Sequence, residues 1–428
     1  MVYKISKPGK KLTGTVYLTA SKSESNRILL IQALSKQTFR TTNLAESQDT
    51  QILAEILKNE TSIEHVRAFK KLDVEVSYYT GPGGTTLRFL TAFFASRPGT
   101  RILTGSDRMN QRPIKTLVDT LIKLGAKISY LGKEGCPPIK IDGAVIKGGD
   151  IEMESDVSSQ FITALLLIAP SLENGLNIHI KGKSVSMSYI HMTLKVLEHF
   201  GIKLKWKDNV ISIPYQEFQG WDYHIESDWS AASYWYAMAA LSDEVDLKIK
   251  GLKRKSIQGD SVVADFFRFF GVNTEYAEWG VRLSKTNYKP EFLDFDFSDY
   301  PDIAQTVAVV ASALKIPMHL RGLQTLRHKE TDRIHAIKTE LKKIGINANE
   351  EGEASLKISF PNGKNENGFE SDLKFKTYHD HRMAMAFAPL AILYPEVEIE
   401  NPHVVNKSYP YFWEDMKRAG FEIKEEDE

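Results

Sequence analysis

The stretch Leu121-Ile-Lys-Leu-Gly125-Ala-Lys-Ile128 has the pattern of an amphipathic helix that ends at a glycine and is followed by a short strand. A glycine at the end of a helix commonly adopts the left-handed conformation, which costs a residue with a side chain more energy. The same pattern recurs at intervals of 70 to 76 residues, around Gly201, Gly271, Gly345 and Gly420. Five copies at so regular an interval indicate internal duplication.

A second series of predicted helices alternates with the first. Each begins with a short polar cluster and continues as a run of apolar and small residues, which predicts a buried helix. The six clusters are Ser21 to Arg27, Gly83 to Thr86, Ser158 to Gln160, Asp228 to Ser230, Pro301-Asp302 and His379 to Arg382. A repeat of about 70 to 75 residues with two helices and intervening strands predicts an α/β fold. Six repeats in 428 residues predict two domains of three repeats each.

The balance of charge excludes one broad class of function. The 55 Lys and Arg residues equal the 55 Asp and Glu residues in number, whereas a protein that coats nucleic acid needs a basic excess. The longest apolar runs, Phe161 to Pro170 and Val307 to Leu314, are far shorter than the roughly 18 residues of a membrane-spanning helix. The first residues lack the apolar segment of a secretory signal, so we expect a cytoplasmic protein.

Cysteine usage gives two further expectations. Cys136 is the single cysteine of the sequence, so a disulfide within the chain is excluded. The sequence also lacks a Cys and His cluster with the spacing of a zinc site. We therefore expect a protein without a structural metal.

Four cations in the second series point to an anionic ligand. The N-terminus of a helix carries free N–H groups and a partial positive charge, so it attracts anions and disfavours cations. The sequence nevertheless places Lys22, Arg27, Arg88 and Arg382 in first turns. The polar residues beside them could be ordinary N-caps. A cation placed against the helix dipole is better explained by an anion that binds both.

The segment around Lys329 gives a similar indication. Lys329 and Arg333 are four residues apart, a spacing that would bring two like charges onto one helix face. The acidic residues between them could neutralise these charges on a solvated surface, or an anion could lie between the two cations. Arg112 and Lys407 are expected to begin helices of the first series.

Several strings that occur together and in order resemble one known family. Each is weak alone, but their combination extends over nearly the whole chain and is highly specific. They are Ser21-Lys-Ser-Glu-Ser-Asn-Arg27, Gly81-Pro-Gly-Gly-Thr-Thr-Leu-Arg88, Arg112-Pro-Ile114, Ser158-Ser-Gln160, Gln258-Gly-Asp260, Pro301-Asp302, Lys329-Glu-Thr-Asp-Arg333, Asp380-His-Arg-Met-Ala-Met385 and Lys407-Ser408. The combination resembles the 5-enolpyruvylshikimate-3-phosphate (EPSP) synthase family of 3-phosphoshikimate 1-carboxyvinyltransferases.

The resemblance implies a fold that agrees with the repeat count. Two similar α/β domains are expected, each of three βαβαββ repeats, with buried parallel helices whose N-termini face an interdomain cleft. The family also implies that the first strand belongs to the C-terminal domain. The expected domains are therefore 19–226, the N-terminal one, and 1–18 with 227–428, the C-terminal one.

The resemblance also implies a reaction between two polyanions. The family transfers the enolpyruvyl group of phosphoenolpyruvate to the 5-hydroxyl of shikimate 3-phosphate by addition and elimination, and releases phosphate. This step belongs to the shikimate pathway, which leads to chorismate and the aromatic amino acids. The resemblance implies no metal and no cofactor. We expect a monomer that binds these small anions, with no nucleic-acid partner and no membrane association.

The implied binding residues fall into two sets. For shikimate 3-phosphate they are Lys22, Ser23, Arg27, Ser158, Ser159, Gln160, Ser186, Tyr189, Asp302 and Lys329. For phosphoenolpyruvate they are Lys22, Gly84, Arg112, Gln160, Arg333, Arg382 and Lys407. These types suit the ligands, because the planar guanidinium of arginine grips a phosphate or carboxylate at two points and a glycine lets the backbone approach closely.

The resemblance implies three catalytic residues. Asp302 is the candidate base for the 5-hydroxyl, although its position before an apolar run is also that of an ordinary helix N-cap. Glu330 and Lys22 are the candidates for the acid that protonates the methylene carbon of phosphoenolpyruvate. A carboxylate surrounded by cations tends to have a lowered pKa, which disfavours the acid role of Glu330.

Two alternatives remain at this point. The sister enolpyruvyl transferase that acts on UDP-N-acetylglucosamine carries a reactive cysteine in a loop of its first domain, and Cys136 is the one candidate for that thiol. The second alternative is a catalytically silent, anion-binding paralogue. Such a protein would be expected to lack Asp302, Glu330 or Lys22, and the sequence contains all three.

Overall fold

A computed structural model of the chain describes residues 1–70, 75–154, 158–182, 186–360 and 373–426, and in the helix that ends at residue 70 it describes side chains as far as residue 63. The chain divides into two compact units. We call Ser21–Ile225 the N-terminal unit, and Met1–Ala20 with Glu226–Glu428 the C-terminal unit.

Strands in the described part of the chain are short and recur throughout both units. In chain order they are β1 (Val2–Ser6), β2 (Lys11–Tyr17), β3 (Thr41–Thr42), β4 (Val76–Tyr79), β5 (Gly99–Thr104), β6 (Lys127–Tyr130), β7 (Ile139–Gly143), β8 (Gly149–Glu154), β9 (Leu176–Lys181), β10 (Lys205–Lys207), β11 (Val210–Ile213), β12 (Tyr223–His224), β13 (Glu244–Lys250), β14 (Val272–Ala277), β15 (Gly280–Lys285), β16 (Leu293–Asp296), β17 (Met318–Arg321), β18 (Ala348–Glu350), β19 (Leu356–Ile358), β20 (Leu373–Phe375), β21 (Val397–Glu400) and β22 (Glu422–Glu426).

Helices alternate with these strands. In chain order they are α1 (Lys22–Leu34), α2 (Gln48–Lys70), α3 (Gly84–Ala95), α4 (Lys115–Lys123), α5 (Ser159–Ile168), α6 (Met187–His199), α7 (Trp229–Leu241), α8 (Val263–Arg268), α9 (Ala304–Ala313), α10 (Arg333–Lys343), α11 (His381–Phe387) and α12 (Phe412–Arg418). In the parts of the chain that the structure describes, no helix is both long and apolar enough to cross a membrane.

The four-stranded sheets share one topology. The strand orders are β4-β5-β7-β6 and β8-β9-β11-β10 in the N-terminal unit, and β2-β13-β15-β14, β16-β17-β19-β18 and β20-β21-β1-β22 in the C-terminal unit. The first pair of each sheet is parallel, as in β4 with β5, and the remaining pairs are antiparallel. A parallel pair needs a crossover, which α3, α5, α7, α9 and α11 provide in turn. The predicted α/β repeat is confirmed.

The first residues of the chain complete two sheets of the C-terminal unit. Strand β1 lies between β21 and β22, and β2 pairs with β13 in parallel from Lys11 opposite Glu244 to Tyr17 opposite Lys250. In the N-terminal unit, β3 and β12 form a two-stranded parallel pair. The chain therefore enters the C-terminal unit, leaves it at Ala20 and returns at Glu226.

The crossover helices form the cores. All residues of α7 except Ser230 are buried, and Trp229 and Trp235 are among the largest fully buried side chains. Helix α7 packs against α9 and α11 within the C-terminal unit, and α3 packs against α5 within the N-terminal unit. These helices are apolar on nearly every face, which agrees with burial between sheets and neighbouring helices.

The five repeat glycines follow α4, α6, α8, α10 and α12, as predicted. The φ angles are 104° at Gly125, 79° at Gly201, 74° at Gly271, 75° at Gly345 and 88° at Gly420. All five lie in the left-handed region that favours glycine. This part of the sequence interpretation is confirmed.

Two of the helix-start cations lie deeper in their helices than the sequence predicts. Ser21 is the N-cap of α1 and Gly83 is the N-cap of α3, so Arg27 and Arg88 fall in second turns. The expected first-turn position is wrong for both. The dipole effect falls off within the first turn, so these arginines are explained by their contacts rather than by the helix end.

Asp302 is not a helix N-cap. Helix α9 begins at Ala304 after Ile303, whose backbone is helical and which makes no side-chain capping bond. Residues 301–303 form a turn before the helix. The capping interpretation of Asp302 is therefore wrong, because Ile303 occupies the N-cap position of α9; the carboxylate of Asp302 contacts three cations.

The expectation that Lys329 and Arg333 share a helix face is also wrong. Lys329 follows a 3-10 turn at Gln324–His328 and has an extended backbone. Helix α10 begins only at Arg333, because Asp332 caps it by accepting two backbone N–H hydrogen bonds, both at 3.1 Å. The two cations lie on different elements.

Arg112 and Lys407 do not begin helices. Arg112 follows the 3-10 turn Met109–Gln111 and precedes α4 by three residues, and Lys407 ends the 3-10 segment Pro402–Lys407 before α12. Arg112 has an extended backbone, which is expected for the residue before a proline, here Pro113.

Candidate active site

Lys22 is held at the N-terminus of α1 by a carboxylate from α2. Its Nζ lies 3.1 Å from Oδ2 of Asp49, whose side chain is 3% exposed. Ser21 caps α1 by accepting a hydrogen bond from the Glu24 N–H. The sequence interpretation did not select Asp49, because a polar residue at a helix start is typical of an N-terminal turn.

Arg27 connects α1 to α6. Its Nη1 donates to the Ser23 carbonyl oxygen at 2.5 Å, its Nη2 donates to the Tyr189 carbonyl oxygen at 3.1 Å, and its Nε donates to Thr193 Oγ1 at 2.9 Å. Burial lowers the pKa of Arg27 to about 10, and Tyr189, Glu24 and Tyr223 oppose the shift. The guanidinium therefore stays charged at neutral pH, and it fixes Ser23 and Tyr189 relative to one another.

Ser186 has a left-handed backbone at the start of α6. Its φ is 57° and its ψ is 34°, and its carbonyl oxygen accepts the Tyr189 N–H at 3.2 Å. A residue other than glycine in this region carries strain of about 1 to 3 kcal/mol, and such strain is concentrated at functional sites. The strain falls on a residue that the family resemblance places at the shikimate 3-phosphate site.

The start of α3 lies beneath two guanidinium groups. A Cβ added at Gly84 would lie 2.9 Å from Arg112 Nη1, and closer still to Arg88 Nη1. Both arginines are buried. A side chain at Gly84 would force these guanidinium groups to shift, so the backbone of Gly84 and the two arginines form one compact cluster.

Arg88 also reaches the start of α5. Its Nη1 donates to Gln160 Oε1 at 2.7 Å, its Nη2 donates to the Pro113 carbonyl oxygen at 3.2 Å, and its guanidinium lies 5.2 Å from the centre of the Phe161 ring. Ser158 caps α5 by accepting the Gln160 N–H at 3.4 Å, and Ser159 is the first residue of the helix. The sequence interpretation counted Arg88 among the cations but gave it no role in the site.

These contacts bring the predicted residues of the N-terminal unit into one region. Asp49 links the start of α1 to the start of α3. Its carboxylate holds Lys22, and its backbone oxygen accepts a hydrogen bond from the Thr86 hydroxyl at 3.1 Å. Phe89 lies under Arg27, with 5.8 Å from the guanidinium to the ring centre. The predicted residues so connected are Lys22, Ser23, Arg27, Gly84, Arg112, Ser158, Ser159, Gln160, Ser186 and Tyr189.

In the C-terminal unit, Asp302 is surrounded by cations from three elements. Its Oδ1 lies 2.9 Å from Arg333 Nη1 and 3.6 Å from Lys329 Nζ, and its Oδ2 lies 3.0 Å from Arg382 Nη2. The side chain of Asp302 is 15% exposed. The carboxylate of Asp302 is therefore partly accessible and surrounded by positive charge. Lys329 supplies one of these charges, although it lies before α10 and not on it.

Arg333 joins three carboxylates. Besides Asp302, its Nη2 contacts Glu330 Oε2 at 3.0 Å and its Nε donates to Asp380 Oδ2 at 2.7 Å. Its side chain is 1% exposed. Burial lowers the pKa of Arg333, but Asp380, Glu330 and Asp302 together raise it above the ordinary arginine value. The guanidinium is therefore a permanent charge at the centre of this network.

Glu330 lies between two cations. Its Oε1 contacts Lys407 Nζ closely, and its Oε2 contacts Arg333. The side chain of Glu330 is 14% exposed and that of Lys407 is 6% exposed. These contacts stabilise the ionised carboxylate, so a role as proton donor would require the approach of substrate to weaken them.

Arg382 is fixed from two sides at the start of α11. Asp380 caps this helix by accepting the Arg382 N–H at 2.9 Å, and Arg382 Nη1 donates to Tyr234 Oη at 3.3 Å. Burial raises the pKa of Tyr234 to about 12, and Arg382 opposes the shift. The tyrosine is therefore a neutral acceptor for the guanidinium, and the sequence interpretation selected neither Tyr234 nor Asp380 as a site residue.

The structure thus brings together the residues predicted for the C-terminal unit. They are Asp302, Lys329, Glu330, Arg333, Arg382 and Lys407. Arginine and lysine side chains held in place by carboxylates are preorganised to bind phosphate and carboxylate groups, because they need little rearrangement when a ligand arrives. The arrangement suits a transferase that acts on polyanions.

The cysteine required by one alternative is not exposed. Cys136 is 6% exposed, and its Sγ lies 3.5 Å from the Gln111 carbonyl oxygen. A reactive cysteine is expected to be accessible and close to a positive charge. The environment of Cys136 favours a packing role.

Comparison with solved structures identifies the fold. An EPSP synthase structure from Acinetobacter baumannii matches 99% of this chain and 100% of its own with a TM-score of 0.73 at 21% identity. The enolpyruvyl transferase NikO from Streptomyces tendae matches 99% of this chain and 98% of its own with a TM-score of 0.72 at 15% identity. The chain has the two-domain α/β fold of the enolpyruvyl transferases.

Sequence comparison narrows this class to one family. The family model for EPSP synthase (3-phosphoshikimate 1-carboxyvinyltransferase) matches residues 6–416. A Bacteroides fragilis protein named 3-phosphoshikimate 1-carboxyvinyltransferase is 44% identical over 425 residues, which cover 99% of both chains. A Sulfurovum protein of the same name is 37% identical over 95% of this chain and 97% of its own. The chain belongs to the EPSP synthase family.

Proposed function

We propose that this chain transfers the enolpyruvyl group of phosphoenolpyruvate to the 5-hydroxyl of shikimate 3-phosphate, with Asp302 as the base. The observation that carries the proposal is the position of Asp302 in contact with Lys329, Arg333 and Arg382. A carboxylate held in one orientation by three cations, and still partly accessible, can accept a proton from a bound hydroxyl group. The cations around it would attract both anionic substrates.

Shikimate 3-phosphate is proposed to bind through hydroxyl, amide and cationic side chains. In the N-terminal unit, Arg27 fixes the backbone of Ser23 and Tyr189, and Ser158 and Ser159 lie at the N-terminus of α5, which attracts an anion through its partial positive charge. In the C-terminal unit, Asp302 and Lys329 would contact the ring hydroxyls. The proposed set is Lys22, Ser23, Arg27, Ser158, Ser159, Gln160, Ser186, Tyr189, Asp302 and Lys329.

Phosphoenolpyruvate is proposed to bind through guanidinium and ammonium groups. The cluster at Gly84 brings two arginines to a stretch of backbone without side-chain obstruction. In the C-terminal unit, Arg333, Arg382 and Lys407 are held by carboxylates in orientations that a phosphate or carboxylate can share. The proposed set is Lys22, Gly84, Arg112, Gln160, Arg333, Arg382 and Lys407.

The proposed reaction has two balanced stages. In the addition, the 5-oxygen forms a bond to C2 of phosphoenolpyruvate while its proton passes to Asp302, and C3 receives a proton from Glu330 or Lys22. In the elimination, C3 returns a proton to the group that supplied it, the double bond forms again, the bond between C2 and the phosphate oxygen breaks, and the leaving phosphate takes up the proton held by Asp302. The phosphate leaves with one proton, and the cations stabilise the charge that develops on it.

We further propose the domain organisation and assembly state that the sequence predicts. The N-terminal enolpyruvyl transferase domain would comprise residues 19–226, and the C-terminal domain residues 1–18 with 227–428. The enzyme would act as a monomer on small anions and not on nucleic acid. The burial of Cys136 and the names of the relatives disfavour the UDP-sugar alternative.

The proposal is tested by phosphate release. Purified protein would be incubated with phosphoenolpyruvate and, in separate reactions, shikimate 3-phosphate, shikimate or UDP-N-acetylglucosamine. We expect rapid phosphate release with shikimate 3-phosphate and little with the other two acceptors. Release with the UDP-sugar, or with phosphoenolpyruvate alone, would contradict the proposed acceptor, and no release with any acceptor would support a silent paralogue.

A further inference from the structure

One of the strings that resembles the family, Gln258-Gly-Asp260, has no place in the proposed mechanism. The structure places it against the N-terminus of α7. Gln258 Oε1 accepts the Trp229 N–H at 3.0 Å, and Gln258 Nε2 donates to the Ser227 carbonyl oxygen at 2.8 Å. Two directional bonds therefore fix the short 3-10 segment Gly259–Val262 that follows.

Asp260 is buried in this segment, and only one of its two carboxylate oxygens accepts a hydrogen bond from the described residues. Its Oδ2 accepts a close hydrogen bond from the Ser230 hydroxyl. Its Oδ1 is buried and has no hydrogen-bond partner among the residues that the structure describes. The residue is 4% exposed. A buried acidic group in such an environment carries a cost for stability, so its presence calls for a functional explanation.

Asp260 lies within electrostatic reach of the proposed base. Ser230, which donates to Asp260, and Tyr234, which accepts from Arg382, lie four residues apart on one face of α7. The charges of Asp302 and Asp228 disfavour ionised Asp260, and that of Arg382 favours it. Arg382 contacts Asp302 directly at 3.0 Å, so the guanidinium that donates to Tyr234 also lies beside the proposed base. Asp302 in turn faces Lys329 and Arg333. Three adjacent cations favour the ionised form of a carboxylate and so weaken it as a base.

We propose that Asp260, held by Ser230, is a positioning residue for Asp302: its negative charge offsets the cations around Asp302 and keeps that carboxylate able to accept the hydroxyl proton. This inference rests on the proposed role of Asp302 as the base. Asp260 does not touch the substrate in this account. It acts on Asp302 through its charge and through Arg382, which contacts Asp302 and lies against the same face of α7 as Asp260.

The titration of Asp260 gives the proposal a measurable signature. Burial is the largest cause that raises the pKa of Asp260 to about 7, Asp302 and Asp228 add to the rise, and Arg382 and the Ser230 hydrogen bond oppose it. Because the carboxyl groups of Asp260 and Asp302 interact, their apparent pKa values belong to the pair. The ionised form of Asp260 is the supportive one, so turnover should rise with pH through the neutral range.

The first test replaces the carboxyl group. Asp260→Asn should lower kcat at pH 8 by about tenfold and flatten the rise of kcat between about pH 6 and 8, since the variant cannot supply the charge. The KM values for both substrates should stay within about twofold of wild type, because Asp260 contacts neither substrate in this proposal. Asp246→Asn, which removes an exposed carboxylate paired with Arg282, is the control and should leave the pH profile unchanged.

The second test keeps the carboxyl group and removes its hydrogen bond. Ser230→Ala withdraws a donor that favours ionised Asp260, so the rise of kcat should move to higher pH while the plateau stays near the wild-type value. A purely structural role would not move the profile. This variant also decides the question if Asp260→Asn does not fold.

The outcomes separate this inference from the proposed function. A wild-type kcat and pH profile in Asp260→Asn, together with a large loss in Asp302→Asn, would overturn the role of Asp260 alone. Wild-type turnover in Asp302→Asn would overturn the base assignment, whatever Asp260→Asn shows. A fall of kcat in Asp260→Asn with an unchanged profile shape and weakened binding of both substrates would make Asp260 a structural residue.

Discussion

Arg333 donates from Nη1 to Oδ1 of Asp302 over 2.9 Å, and the side chain of Arg333 is 1% exposed. The same guanidinium contacts Glu330 and Asp380, so its planar fork orders three carboxylates at once. A fixed charge of this kind orients the proposed base and the candidate acid relative to one another. Preorganised charges need no rearrangement during the reaction, which is the usual source of electrostatic catalysis.

Arg333→Lys should therefore damage both stability and turnover. Lysine keeps one positive charge but cannot donate to three carboxylates from a planar fork. We expect the free energy of unfolding to fall by about 1 to 3 kcal/mol, because buried acceptors lose their partners. Denaturant unfolding of wild type and variant at pH 7 would measure this loss of stability. Arg418→Lys, at an exposed arginine that pairs with Asp415, is the control, and an equal loss in that variant would contradict the account.

Gly84→Ala should impair phosphoenolpyruvate use. The added methyl group would lie 2.9 Å from Arg112 Nη1 and closer to Arg88, so the guanidinium groups must move. We expect a raised KM for phosphoenolpyruvate with a smaller change for shikimate 3-phosphate, measured by steady-state phosphate release. Gly132→Ala is the matched control, since its Cβ would meet only ordinary contact at 3.7 Å from Pro138. Unchanged kinetics in Gly84→Ala would show that the cluster does not bind the substrate.

Arg112→Lys and Arg382→Lys keep the charge but lose the two-point grip of a guanidinium. Each should raise the KM for phosphoenolpyruvate, while calorimetry should show near-normal binding of shikimate 3-phosphate. Arg282→Lys, at an exposed arginine that pairs with Asp246, should change neither. Equal weakening of both substrates would assign the two arginines a structural role.

Asp260 should also give the free enzyme a pH-dependent stability. Its folded-state pKa of about 7 lies above the ordinary value of 3.8, so the folded state binds the proton more tightly than the unfolded state does. The resulting stability is fully present below about pH 4 and is lost as the pH rises through 7. Asp260→Asn resembles the protonated form, so its stability relative to wild type should increase from pH 5 to pH 8. Urea unfolding across this pH range measures the difference in the free energy of unfolding between the two proteins. A difference that stays the same at every pH would contradict a raised pKa at Asp260.

The fold could be predicted from the sequence because its signals are local. The glycine at the end of each first-series helix needs only the left-handed conformation, and Gly125 and Gly420 adopt it as expected. The burial of α7 follows from an apolar run that leaves no polar face. Patterns of this kind depend on backbone geometry and solvent exclusion, and both are readable residue by residue.

The contacts within the site could not be predicted in the same way. Asp302 precedes a helix in the sequence and so has the pattern of a cap, yet its partners lie 27, 31 and 80 positions further along the chain, at Lys329, Arg333 and Arg382. Asp49 likewise has no local feature that identifies it as the partner of Lys22. Long-range ion pairs arise when separate repeats pack together, and the spacing of residues in one repeat carries no information about them.

The role of Asp302 as the base is best tested with the variant Asp302→Asn. Because Asp302 is a counter-charge to three cations, the variant should melt a few degrees lower without ligand. Loss of a positioned base typically costs about 10² to 10⁴ in rate. The measurement is single-turnover phosphate release and shikimate 3-phosphate affinity in one preparation of folded protein. The account predicts a rate loss of that size with only a modest change in affinity, and turnover near the wild-type value would contradict it.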